Sequence, residues 1–329
     1  MHKASSTTVS NILARYAMNY DLNIALPEQS PKADPGSFHC FGYFEEKRVM
    51  PLADSQRYNV LFNHMVYNRT ALDNVMPSDT FYFAIMRQPQ KMFLSAVYSF
   101  GFVKNPAVNN SENKELAEYI SRKERTFNYF NTISFDTGMN FSHLTNMTAV
   151  QQHIQKLERE LDLVMIMEHF HESLVLLKRR TSLDLRDIVF LKTNARKNLN
   201  IHRITDRIVA ELKDRQMTDH VVYDHFYTKF WTEVHKEGES FQREVADFTK
   251  TASQFKEYCS SARSQWDTFV VARSEWSEEF SLNARDCQLM ALEERPFQKL
   301  LLQRAKHRQA VAGYREKRKN IPKWSPQPC

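Results

Sequence analysis

Glycine is scarce in this chain: it supplies 6 of 329 residues, where average usage would give roughly 23. That argues against Gly-rich dinucleotide loops, collagen and glycine-turned β-barrels, and it points toward helices. Long apolar runs are missing as well. No stretch approaches the roughly 18 residues that a membrane span needs, so none is expected within the sequence as given. The four cysteines, Cys40, Cys259, Cys287 and Cys329, lack C-x-x-C spacing, which leaves zinc and thioredoxin-type chemistry without support. Their number is compatible with two disulfides and implies none. Acid is thin at one end: Lys plus Arg (45) exceeds Asp plus Glu (39), and the excess gathers after Arg295, in residues such as Arg304, Arg308, Lys317, Arg318 and Lys319. Such a tail can hold nucleic acid or an anionic membrane surface. Here it reads as a solvated helix end and a frayed terminus, which sets a basic helix and tail over 291–329 apart from a domain over 1–290.

What is present has an order. Ser5 to Thr8 form a hydroxyl cluster ahead of Val9, Ile12, Leu13 and Tyr16, apolar positions at helical spacing, so a loop is expected to deliver a helix with good capping residues in front. Prolines 27, 31, 35 and 51 and glycines 36 and 42 mark residues 27–57 as an irregular connection. Four short apolar runs are predicted as buried strands: Tyr58 to Phe62, Phe81 to Met86, Leu161 to Met167 and Ile188 to Leu191. The second leads into Arg87-Gln88-Pro89 and then Phe93, Ala96, Val97 and Phe100, a strand entering a helix whose first turn tolerates the proline. Strands alternating with helices give a parallel sheet with helices on its faces, and ligands of such sheets sit beyond the carboxyl ends of the strands. From about Ile204 the pattern is helical, and aromatic stretches such as Tyr223 to Tyr227 and Phe230-Trp231 are expected to be core.

Two constellations lie where such a sheet would bind an anion. His2-Lys3-Ala4-Ser5-Ser6-Thr7-Thr8 stands at a helix mouth, whose unpaired N–H groups and partial positive charge attract phosphate or sulfate, reinforced by a lysine and several hydroxyls. Arg87 leaves the second run as a planar fork suited to a phosphate, and Ser95 follows about two turns into the next helix. Read singly, each also fits a structural role, since Ser and Thr cap helices and an arginine at a strand end pairs acids. Together they imply a ligand with two separated anionic groups. No His/Cys/Asp cluster argues for a metal. Asn-x-Ser/Thr acceptor sites at Asn68, Asn109, Asn140 and Asn146, against the roughly two or three that chance would give, lean toward the secretory pathway, although Met1-His2-Lys3 shows no signal-peptide pattern.

The same residues carry a resemblance. His2-Lys3-x-x-Ser6-x-Thr8 before Asn11-Ile12-Leu13, Asn63-His64-Met65 after a strand, and Met86-Arg87-x-Pro89-x-x-x-Phe93-x-Ser95 are together similar to the galactose-3-O-sulfotransferase family. So are Glu168-x-Phe170-x-Glu172-Ser173-Leu174 and Leu191-Lys192-x-Asn194-Ala195-Arg196, and the similarity runs in order from about His2 to Cys287. It implies an α/β, P-loop-like parallel sheet flanked by helices, the sulfotransferase fold, with a helix-rich C-terminal half. It also implies a Golgi enzyme that moves the sulfuryl group of 3'-phosphoadenosine 5'-phosphosulfate to the 3-hydroxyl of a terminal β-galactose on a glycolipid or glycan. By position, Lys3, Ser6, Thr7 and Thr8 match the loop that holds the 5'-phosphosulfate, and Arg87 and Ser95 match the 3'-phosphate site.

In-line sulfuryl transfer builds negative charge on the leaving phosphate, which Lys3 and helix N–H groups would stabilise. A neutral histidine suits removal of the acceptor proton; His64 is the choice here, with His2 and Glu168 as rivals. Lys192, Asn194 and Arg196 are candidates to close over the nucleotide. Neither a metal nor nucleic acid is expected, and membrane attachment only through an anchor that the family carries upstream.

Two departures from the family stand out. Family members have a strand ahead of the lysine loop, whereas Met1 begins inside it; a chain that truly started there would tether the loop on one side and bind donor poorly. Gln88 replaces the acid of the family's Arg-Asp-Pro, which is expected to loosen the 3'-phosphate site. The competing reading is a catalytically silent relative that binds glycans or glycolipids. A basic nucleic-acid binder acting through the tail is disfavoured by the ordered motifs.

Overall fold

Helices dominate the computed structural model, which describes residues 2–28, 38, 42–52, 56–103, 112–121, 130–191, 205–261 and 266–311. In chain order the first elements are α1 (Ser6–Asn19), α2 (Arg69–Asp73), β1 (Phe83–Met86), α3 (Pro89–Ser99), α4 (Glu112–Ser121), α5 (Thr132–Asp136), α6 (Met147–Glu160) and β2 (Leu163–Ile166). There follow α7 (Phe170–Arg180), α8 (Leu185–Ile188), α9 (Asp206–Arg215), α10 (Met217–Lys236), α11 (Glu239–Ser261), β3 (Thr268–Val271), β4 (Phe280–Asn283), α12 (Ala284–Ala291) and α13 (Glu294–Val311). One unit gathers Met1–Ser6, Phe81–Leu177 and Asn194–Phe241; the other gathers Thr7–Thr80, Lys178–Thr193 and Gln242–Cys329.

In the first unit two of the expected runs are strands. β1 and β2 pair in parallel, Phe83 opposite Leu163 through Met86 opposite Ile166. β2 is buried at all four positions and β1 at Ile85 and Met86, the near-continuous burial of strands covered on both faces. At their amino ends the Asp162 carboxylate accepts the Tyr82 N–H at 2.7 Å. Pro89 occupies the start of α3, where its missing N–H costs nothing. The helix α10 packs against α5, α6 and β2 and buries Tyr223, Phe226 and Phe230, so these aromatics are core as expected.

The second unit corrects the other two runs. Tyr58 to Phe62 makes an isolated bridge, Ile24 with Val60: the N–H groups of Asn59 and Val60 donate to the Asn23 carbonyl and the Ala25 N–H to the Val60 carbonyl, while the Asn23 N–H turns to Asn59 Oδ1. Within Ile188 to Leu191, Ile188 closes α8, which a reciprocal Asp184/Asp187 capping box starts. The carbonyls of Asp187 and Val189 accept instead from the Arg15 guanidinium, at 3.0 and 2.6 Å. Burial lowers the pKa of that guanidinium to about 10, with Asp187 opposing the shift. The described parallel sheet therefore has two strands rather than four. Another local correction concerns α1, which begins at Ser6, so Ser6, Thr7 and Thr8 are its first turn and not a loop ahead of it.

Elsewhere in this unit Ala14 and Leu26 pack with Phe297, Leu301 and Leu302 of α13. Fully buried Glu244 accepts from Lys178 at 3.0 Å and Arg179 at 2.6 Å. β3 and β4 form an antiparallel hairpin, and a disulfide joins Cys259 of α11 to Cys287 of α12 across a separation of 28 residues. Closing a loop of that length stabilises by roughly 3.5 kcal/mol in the chain-entropy account. The double variant Cys259→Ser/Cys287→Ser should lose about that much stability in urea unfolding, and an unchanged midpoint would show that the bond adds nothing. Among the described residues no helix is long and apolar enough to cross a membrane.

Candidate active site

The segment from His2 to Ser5 has no glycine, yet it needs left-handed backbone at Lys3 (φ 56°) and Ser5 (φ 61°). Such conformations cost about 1–3 kcal/mol each for residues with a Cβ, and persist only where the surroundings enforce them. Here they do. The Asp136 carboxylate accepts the His2 backbone N–H at 2.7 Å and meets the ring Nδ1 at 2.8 Å. Ala4 is fully buried. The Arg87 Nη1 donates to the Lys3 carbonyl at 3.0 Å, and the Lys3 ammonium donates to Ser99 Oγ at 2.7 Å while lying 4.6 Å from the Phe100 ring centroid. Alternating left-handed and ordinary residues is the geometry of anion-binding concavities. It opens directly into α1, whose first turn carries Ser6, Thr7 and Thr8 and no acid, leaving the partial positive charge there uncompensated by the helix itself.

Asp136 is itself held. It ends α5, and α5 is gripped at its start by Asp219 of α10, which accepts from the Ile133 N–H, the Ser134 N–H and the Ser134 hydroxyl at 2.7–2.8 Å. Burial pushes the Asp219 carboxyl up to about 7, against those three donors and with Asp136 adding to the rise. Burial would raise Asp136 too, but the charge and hydrogen bonds of His2 outweigh it and hold this carboxyl below its ordinary range.

Because β1 and β2 are parallel, the residues that follow them emerge at one edge. Arg87 follows β1, and Glu168 follows β2. Glu168 accepts the Gln88 N–H at 3.1 Å with one oxygen and the Tyr223 hydroxyl at 3.1 Å with the other. Burial, then the adjacent Glu168, pushes the Tyr223 hydroxyl well above its usual range, so it stays a donor. The carboxylate considered as a rival base is thus engaged in joining the two strand ends. Burial lowers the Arg87 pKa, with Glu168 opposing. The Arg87 Nε is buried with no hydrogen-bond partner among the described residues, an expense that a bound anion would relieve. Ser95 lies half-buried on α3.

His64 belongs to the second unit. Its Nε2 is 3.2 Å from Glu294 Oε1, and the preceding Asn63 accepts at 2.7 Å from Gln298, so two consecutive residues meet two residues one helical turn apart on α13. His2, the other rival base, is committed to Asp136. Lys192, Asn194 and Arg196 lie outside the described residues. Sequence reasoning missed Asp136, Ser99 and Glu294. No motif singles them out, and their roles follow from contacts across 134, 96 and 230 positions of chain.

Comparison with known proteins gives the chain its family. The family model for galactose-3-O-sulfotransferase matches residues 1–270. The galactosylceramide sulfotransferase of Homo sapiens is 29% identical over 267 residues, 78% of this chain and 62% of that protein. Galactose-3-O-sulfotransferase 2 of Homo sapiens is 32% identical over 245 residues, 72% and 60%, and galactose-3-O-sulfotransferase 3 of Mus musculus is 31% identical over 273 residues, 78% and 61%. The chain spans about three fifths of the length of these relatives, and Glu294 and Gln298 fall beyond the family match. Over four fifths of its length, through both the lysine loop and the arginine strand, this chain belongs to the galactose-3-O-sulfotransferase family.

Proposed function

We propose that this protein is a carbohydrate sulfotransferase that moves the sulfuryl group of 3'-phosphoadenosine 5'-phosphosulfate to the 3-hydroxyl of a terminal β-galactose on a glycolipid or glycan. The observation that carries this reading is the contact between Arg87 and the Lys3 loop. It brings an arginine with an unsatisfied buried Nε and a lysine at a helix mouth to one sheet edge, as a ligand with two separated anionic groups requires.

The donor supplies an activated sulfuryl group on a phosphate leaving group. Lys3, the α1 N–H groups and the hydroxyls of Ser6, Thr7 and Thr8 hold the 5'-phosphosulfate, and Lys3 neutralises the charge that grows as the bridging S–O bond breaks. Arg87 grips the 3'-phosphate as a fork, with Ser95 adding a hydroxyl. His64 takes the proton of the galactose 3-hydroxyl as the new S–O bond forms. Glu294, whose Oε1 lies 3.2 Å from Nε2, holds the imidazole in place as a charged neighbour. The Cys259–Cys287 disulfide and the exposed acceptor residues Asn140 and Asn146 support an oxidising, glycosylating compartment such as the Golgi lumen.

Labelled donor tests the reading: the chain, secreted from an oxidising host, should transfer sulfate to galactosylceramide or to a lactose-type acceptor. His64→Ala should lower kcat by about 10²- to 10⁴-fold. Donor binding without transfer to any galactoside would favour the silent glycan-binding relative, and normal turnover by His64→Ala would remove it as the base.

A further inference from the structure

We infer that Phe100, supported by Phe102 and Tyr119, is the platform on which the acceptor's galactose ring lies during transfer; this rests on the sulfotransferase reading above. Phenylalanine is among the residue types most often buried, yet Phe100 is 47% and Phe102 51% exposed. Their placement is built into the chain. Phe100 caps α3, Gly101 follows with φ +74°, a conformation that favours glycine, and the Phe102 N–H returns to the Val97 carbonyl at 3.0 Å. This turn holds the two rings 6.2 Å apart, centroid to centroid. Tyr119 of α4 stacks on Phe102 at 5.8 Å, so the outer ring is braced.

Position names the occupant. The Lys3 ammonium is 4.6 Å from the Phe100 centroid, and in the proposed mechanism that ammonium serves the sulfuryl end of the donor. A surface beside it faces the acceptor's side of the reaction, while the adenine lies at the donor's other end. The group nearest the sulfur on the acceptor is the galactose ring, and any lipid chain is held away by the width of that sugar. The axial 4-hydroxyl of β-galactose leaves the hydrogens on C3, C4 and C5 on one face. That apolar patch gains by covering an aromatic ring, and the equatorial 3-hydroxyl projects from its edge. A glucoside, with an equatorial 4-hydroxyl, lacks the same patch.

The test uses the full chain with Phe100→Ala, Phe102→Ala and Phe100→Trp, each checked by thermal melting. Phe100→Ala should raise the acceptor KM at least tenfold for galactosylceramide and for lactose alike, while the Kd for 3'-phosphoadenosine 5'-phosphate rises no more than about fivefold, the loss of the ring's contact with the Lys3 ammonium. Phe100→Trp should restore the KM, and Phe102→Ala should fall between. Saturation-transfer NMR with methyl β-galactoside and methyl β-glucoside, on protein loaded with 3'-phosphoadenosine 5'-phosphate, reads the platform without turnover. The galactoside signal should be the stronger and should fade in Phe100→Ala. A parent that binds galactoside through Phe100 but transfers no sulfate would sink the enzyme reading and leave the platform standing. An unchanged KM and NMR signal would overturn the platform. So would a KM rise confined to the glycolipid, which assigns the rings to the lipid chain, or an equal rise in nucleotide Kd, which assigns them to adenine.

Discussion

Replacing Arg87 with alanine is expected to weaken binding of 3'-phosphoadenosine 5'-phosphate by two to three orders of magnitude, about 3–4 kcal/mol, as read by calorimetric titration. Two losses combine. One is the charge-assisted fork on the 3'-phosphate, worth more than a neutral hydrogen bond in a half-buried setting. The other is the brace under Lys3, whose carbonyl accepts from Nη1 and whose left-handed backbone needs that support. Arg87→Lys keeps the charge but not the fork, and should be roughly tenfold weaker than the parent. The fold should survive both changes, because Glu168 keeps its partners at Gln88 and Tyr223. Adenosine 5'-phosphosulfate, which lacks the 3'-phosphate, separates the two losses. If parent and Arg87→Ala bind it equally, Arg87 reads the 3'-phosphate. If the alanine variant loses as much on this ligand, the residue serves the loop alone and the proposed phosphate site is wrong.

How far the sequence foretold this site depends on the range of the interactions involved. The strands β1 and β2, the proline at the start of α3, and the paired placement of Lys3 and Arg87 were all legible, since each rests on local apolar runs and on the edge geometry of parallel strands. The runs at Tyr58 and Ile188 differ. At Tyr58 the backbone pairing with Asn23 and Ala25 forms but stops at one bridge, and at Val189 the Arg15 guanidinium takes the carbonyl that a ladder would use, a competition that hydropathy alone does not register. The bond from the Gln88 N–H to Glu168, just past β2, is likewise visible only once the register of β1 and β2 is known. Asp136 and Asp219 were unreadable because a lone aspartate looks like surface until its helix is placed.

Asp136→Ala should destabilise the first unit by about 3 kcal/mol at pH 7, the cost of leaving the buried His2 groups without their charged hydrogen-bond acceptor. Urea unfolding followed by fluorescence would measure it. The carboxylate accepts from His2 twice over and is itself almost fully buried, so no solvent replaces it when it is removed. Asp136→Asn retains an acceptor but no charge and should lose a smaller share. The pH dependence has a definite sign. A carboxyl whose folded pKa lies below its unfolded value stabilises above the carboxylate range and loses that contribution as pH falls through it, so the gap between parent and Asp136→Ala should narrow on acidification below about pH 4. The functional consequence reaches Lys3. Without the anchor on His2, the left-handed residues Lys3 and Ser5 are no longer forced, the loop relaxes, and nucleotide affinity should drop at least tenfold even under conditions where the variant stays folded. A variant that melts like the parent and binds nucleotide equally well would mean that Arg87 and Ser99 hold the loop unaided, and that the Asp219–α5–Asp136 strut is dispensable to the site.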